Sequence, residues 1–177
     1  MKHIDIDDVT QEPHPMGVNQ DRRVVSDALD ADDVAVLRFD LAPGEQFSGG
    51  LHTHHDQEEV FYVLEGTATW DVGPDPDADH AEGHASERPE TEEVTVEAGE
   101  VVRFPPGQFQ CGRNKSDERV VGLAVAAPGT QHDWEALESF APCGGDCDGI
   151  TSHGVRQPDA EGMVVYCNEC GTELQVA

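Results

Sequence analysis

The chain has 177 residues, enough for one good core and a small appendage. Its 37 acidic residues against 10 lysines and arginines give a formal charge of -27. Such a surface repels nucleic acid and anionic lipid alike, so neither is expected as a partner.

The acids are spread through every segment rather than massed in a tail. That is the pattern of a solvated surface suited to high salt, where self-repulsion is screened. A salt-rich cytoplasm is the expected home. Met1 to Asp8 carries charge instead of an apolar run, unlike a signal peptide, and no apolar stretch approaches a bilayer span. The unfolding temperature is expected to rise between millimolar and molar salt; an unchanged midpoint would refute the high-salt reading.

In chain order, residues 1–21 carry Pro13, Pro15 and Gly17 and read as an irregular arm. Residues 22–127 read as an antiparallel β domain. Arg22 to Leu29 is a candidate first strand. Val34 to Leu41 partly alternates, as a strand does, and Pro43-Gly44 is a turn signal. Val60 to Leu64 is aromatic and β-branched; Gly66 ends it, and Thr67 to Val72 begins another strand. Asp71 to Glu93 holds nine acids and one base in 23 residues and cannot build a core, so it reads as a solvated insertion. His80 and His84 inside it read as surface residues. Val94 to Val96, Val101 to Phe104, Gln108 to Gly112 and Val120 to Ala126 follow as short strands. Many short strands with Gly/Pro turns and no βαβ alternation predict an antiparallel sandwich or barrel. Residues 128–142 read as a linker or short helix. Asp133 is the candidate cap, with Trp134, Leu137 and Phe140 on one face.

Gly50 to Gly66, GLHTHHDQEEVFYVLEG, carries the densest chemistry. His52 and His54 stand two apart, which in a strand places both rings on one face. Glu59 shares the parity of Phe61 and Val63, so it enters the interior with them. Two imidazoles and a carboxylate suit Fe, Mn, Ni, Cu or Zn better than Ca or Mg. His55 and Glu58 have the opposite parity and face away. Cys111 reads as a small core residue.

These residues resemble the first motif of the cupin superfamily, a His-x-His pair, four residues, a glutamate and a closing glycine, at His52, His54, Glu59 and Gly66. Gly99, Pro105, Gly107 and Asn114 resemble the second motif. The resemblance implies a closed antiparallel β-barrel of the jelly-roll type, with the metal inside. The position of the family's fourth ligand, a histidine, is Gln110. Its carbonyl oxygen is a weaker ligand than imidazole, so Gln110 is expected to coordinate weakly or to act by hydrogen bond.

Residues 143–177 contain Cys143-x3-Cys147 and Cys167-x2-Cys170. Cys167 to Gly171 looks like half of a zinc ribbon. Four thiolates favour structural zinc, with iron as the alternative. His153 is a spare ligand that the count does not require.

The sequence therefore reads as a metal-binding cupin that takes a small molecule, its reaction undetermined. The alternative is a non-haem dioxygenase or isomerase acting on a small carboxylate or catechol-like substrate. A cupin barrel followed by a four-cysteine knuckle resembles the layout of the small 3-hydroxyanthranilate dioxygenases, which keep the histidine that is Gln110 here. An exposed edge strand would allow two copies to pair. Arg156 is the only base from Asp133 onward, too few for a ribbon that grips nucleic acid.

Overall fold

The computed structural model describes residues 1–76, 87–131, 133–156 and 163–176. β1 (Asp21–Val24) runs directly into a one-turn helix, α1 (Val25–Leu29), so the candidate first strand is half strand and half helix. Then come β2 (Ala35–Leu41), β3 (His52–His54), β4 (Glu58–Glu65) and β5 (Thr67–Val72). The chain continues through β6 (Glu92–Glu97), β7 (Val101–Phe104), β8 (Gln110–Arg113) and β9 (Val120–Ala127). The last strands are β10 (Leu137–Pro142), β11 (Ile150–Arg156), β12 (Met163–Cys167) and β13 (Glu173–Val176). His80 and His84, with residues 77–86 of the acidic insertion, lie outside the described residues. Among the described residues no helix is long and apolar enough to cross a membrane.

Period-two alternation explains these strands. In β4, Phe61 and Val63 are buried while Tyr62 and Leu64 are 39% and 38% exposed. The strands form a five-stranded sheet, β1-β2-β9-β4-β7, and an eight-stranded sheet, β13-β12-β11-β10-β3-β8-β5-β6. All the strand pairs within them are antiparallel.

The expected closed barrel, and with it the jelly roll, is not what forms: both sheets are open. Two features keep them so. β7 stops before Pro105 and Pro106, which have no N–H to donate to a further ladder. The free side of β3 is taken by β10, and β11 to β13 continue outward from there. The helical turns expected over Asp133 to Phe140 are also replaced. Asp133 does cap, accepting from the Glu135 N–H, but only one 3-10 turn follows, Trp134–Ala136. The chain then extends as β10, because pairing with β3 and β11 satisfies more backbone groups than an isolated short helix would.

Aromatic rings lock the two sheets face to face. Phe39 and Phe61 from the smaller sheet and Trp70 from the larger share one buried cluster with Phe47. Phe47 stacks on Trp70 at 5.2 Å, and Phe61 lies 5.4 Å from Trp70. Each such side chain contributes roughly 1.5–3 kcal/mol of burial. Gly112 is needed beside this stack, since a Cβ there would overlap the Trp70 indole. Asn114, fully buried, ties loops together by donating to the carbonyls of Leu41 (3.0 Å) and Glu118 (2.7 Å).

Candidate metal centres

The first centre lies between the sheets. β3 supplies His52 and His54, β8 supplies Gln110 directly opposite His52, and β4 of the other sheet supplies Glu59. One ligand atom each from His52, His54 and Glu59 lies within 4.8 Å of the others. His54 Nε2 is 3.8 Å from Glu59 Oε1. His52 Nδ1 donates to the Gly50 carbonyl at 2.9 Å, which fixes the tautomer and makes Nε2 the acceptor, with its lone pair turned into the cluster.

Gln110 completes the ring of contacts. Its Nε2 donates to Glu59 Oε2 at 2.7 Å and lies 3.3 Å from His52 Nε2. Its Oε1 is buried with no hydrogen-bond partner. The carboxamide thus turns its N–H groups to two acceptors and leaves its oxygen unsatisfied. A cation among the same acceptors reverses that preference and gives the orphaned oxygen a use. The donor set therefore fits a metal.

The electrostatics follow from how far the cluster is buried. Burial pushes Glu59 up to about 7, only partly opposed by the Gln110 hydrogen bond. Burial also lowers His52, against the opposing hydrogen bond to Gly50. His14 is lowered to about 4, first by its own burial and then by Arg22 and His52. His14 and Met16 lie beside Gly49, so the N-terminal arm borders the segment that leads into β3. Nothing in the local sequence around His14 signalled that placement.

The second centre holds Cys143, Cys147, Cys167 and Cys170, whose sulfurs all lie within 4.8 Å of one another. Cys143 and Cys170 are 3.6 Å apart, and Cys147 and Cys167 are 3.9 Å apart. A tetrahedral zinc with bonds of about 2.3 Å would set its sulfurs about 3.8 Å apart, so the spacing fits. The Thr172 hydroxyl beside Cys170 holds that thiol at about 5, and the Thr151 hydroxyl beside Cys167 lowers it too. Cys147, hydrogen-bonded to Cys170, is raised. The spare ligand His153 is not in the cluster; it is buried, with Nδ1 at 2.9 Å from the Thr151 carbonyl.

The other expectations fall out as follows. His55 does face away from His54, and its Nε2 pairs with Glu138 at 3.0 Å. Cys111 is buried with Leu51, Phe109 and Phe140, so Phe140 packs on this small cluster from β10. Sequence reasoning missed Glu138 altogether. With Glu135 it is one of two glutamates in a segment read as linker or short helix, and only the strand register shows it to be fully buried.

The two centres share one face of one sheet. Successive register partners Gln110, His52, Ser139, His153 and Cys167 form a single row across β8, β3, β10, β11 and β12. Three strand spacings separate His52 from Cys167, about 14 Å.

A fold of this kind, with a His-His-Glu cluster held between its sheets, defines a cupin-type protein. The cupin domain model matches residues 37–126, and the chain belongs to the cupin family. None of the curated proteins matches it in sequence. Among solved structures it is similar to a sugar phosphate isomerase from a cupin superfamily of Silicibacter pomeroyi, at 17% identity and TM-score 0.55, covering 98% of this chain and 92% of that one. It is also similar to a Klebsiella pneumoniae protein with a double-stranded beta-helix domain, at 20% identity and TM-score 0.51, covering 72% of this chain and 85% of that one. A Thermus thermophilus protein gives 22% identity and TM-score 0.51, covering 72% and 98%. At these identities the likeness is one of fold.

Proposed function

We propose that the protein is a metal-binding cupin that holds a divalent transition metal at His52, His54 and Glu59 and takes a small molecule there, with structural zinc at the four cysteines. The observation that carries this reading is the convergence of three ligand atoms from two different sheets. When bound, the ion supplies a Lewis-acid or redox centre. The protein's own residues do the rest. Gly50 fixes the His52 tautomer, Glu59 brings the negative charge from the other sheet, and Gln110 is a weak fourth contact that leaves a position open to exchange. Two imidazoles and one carboxylate leave a divalent ion with net positive charge, which favours anionic or enediol-type ligands. The acidic surface suits a cytoplasm rich in salt.

Metal analysis of protein from its native host, followed by spectroscopy with and without carboxylates and catechols, is the test. Reversible spectral change on adding such a compound supports a binding site. Turnover of the compound would identify the dioxygenase or isomerase alternative. A cluster that stays empty at saturating Fe, Mn, Ni, Cu and Zn would sink both. Gln110→His is expected to tighten metal binding by about tenfold, ~1.4 kcal/mol, by replacing a carbonyl with an imidazole. Isothermal titration checks it, and unchanged or weaker binding would exclude Gln110 from the coordination sphere.

A further inference from the structure

On the opposite face of the larger sheet, a chain of buried and part-buried hydrogen bonds runs from the cysteine cluster to the imidazole strand. Asn168 lies in the turn between Cys167 and Cys170. Its backbone N–H donates to the Ser152 carbonyl at 2.9 Å, and its Nδ2 to Ser152 Oγ at 2.7 Å. Ser152 Oγ donates in turn to Glu138 Oε1 at 2.6 Å. The other oxygen, Glu138 Oε2, accepts from His55 Nε2 at 3.0 Å. His55 directly follows the ligand His54, and its backbone N–H is held by the Ala136 carbonyl at 2.9 Å. Glu138 is 0% exposed, whereas His55 keeps 41% of its side chain in solvent.

We propose that Glu138 is a positioning residue that couples the two metal centres, so that metal at the cysteines sets how firmly β3 presents His52 and His54. The inference rests on the reading that both clusters take up metal. Its physics is that of a buried charge. A carboxylate removed from water must keep its partners, because losing one leaves uncompensated charge in a low-dielectric interior. Metal at Cys167 and Cys170 fixes the turn that carries Asn168. Asn168 orients the Ser152 hydroxyl, and that hydroxyl and His55 are among the partners of the Glu138 carboxylate. Release of the turn withdraws the Asn168 donor and loosens the anchor of His55, one residue from a ligand. Linkage makes the effect reciprocal: metal at the imidazoles tightens metal at the cysteines. The chain of partners resembles the outer-shell supports that orient metal ligands, but here it begins at a second metal centre.

The test uses the full chain with its cysteines loaded with zinc, which is spectroscopically silent, and then titrated with cobalt(II) to read the imidazole centre. Asn168→Ala and Ser152→Ala keep all eight candidate ligands and are expected to weaken cobalt binding by about tenfold while one zinc stays on the cysteines. In a Glu138→Gln background neither change should add a further loss. In the unaltered protein, zinc loading should shift the nitrogen resonances of the His55 ring, and Ser152→Ala should abolish that shift. A mere loss of overall stability would not move this readout selectively. Protein that takes up neither zinc nor cobalt overturns the metal reading and the coupling with it. Protein that takes up both, with cobalt affinity and the His55 signal unchanged by Ser152→Ala, overturns the coupling alone, as does a fully additive effect of Ser152→Ala and Glu138→Gln.

Discussion

Replacing Cys167 by serine is expected to strip the cysteine cluster of its zinc and to loosen the whole C-terminal part of the larger sheet. Cys167 is buried at the end of β12, 3.9 Å from Cys147 and 3.3 Å from the Thr151 hydroxyl. Structural zinc in small sites contributes about 10–16 kcal/mol of apparent binding energy. Forfeiting even ~3 kcal/mol of that would lower the melting midpoint of a chain this size by roughly 6–12 °C. The sheet spreads the damage, because among the described residues β13 pairs with β12 alone, and β12 joins the rest of the sheet through β11. Metal analysis together with hydrogen exchange checks this. The outcome expected is zinc lost and amide protection lost over β12 and β13, with the imidazole centre still able to bind, more weakly. Loss of metal from His52, His54 and Glu59 with the cysteine metal retained would overturn the assignment of the two centres.

Glu59→Gln should pull stability and metal binding in opposite directions. With no cation beside it, the buried Glu59 carboxyl sits at about 7 instead of 4.5. Its folded pKa is raised, so the folded state holds the proton more tightly than the unfolded one. The resulting stabilisation is complete below about pH 4.5 and is lost as pH rises through 7. The full swing is up to roughly 3 kcal/mol for a shift of this size. Glutamine carries no such charge. Chelator-treated Glu59→Gln protein should therefore melt higher than the parent at pH 8 and close to it at pH 5. The same substitution should weaken metal binding at the imidazole centre by at least about 100-fold, since a charged ligand is lost outright. Equal pH slopes for the two chelator-treated proteins between pH 5 and 8 would refute the burial argument.

Much of the first centre was legible because strand parity is local. His52 and His54 had to share a face, and Glu59 had to follow Phe61 and Val63 inward, once β3 and β4 were recognised. The Gln110 position was legible from the motif register; the direction of its carboxamide depends on acceptors from two other strands. Closure of the sheets was not legible. It depends on which distant edge pairs with which, and the competitor for β3 was a segment whose short apolar pattern suited a helix as well as a strand. The residues after Cys143 were legible for their ligands and charge and not for their strands. Their strands alternate weakly, through Ser152, His153 and Gly154, and are fixed by neighbours more than by intrinsic preference. Glu138 stayed hidden for the same reason: its burial is a property of the pairing.

The single row of strands that carries both centres sets a limit on cutting the chain. A shortened protein ending after Pro142 would not be a self-contained cupin domain freed of an accessory. It would turn β10 into a raw edge, with the backbone groups that now face Thr151 to Gly154 unpaired and Glu138 stripped of Ser152. Such a fragment would offer itself as a template to other copies, and insolubility on removal of the last thirty-odd residues would record a broken sheet, saying nothing of the imidazole centre's own chemistry.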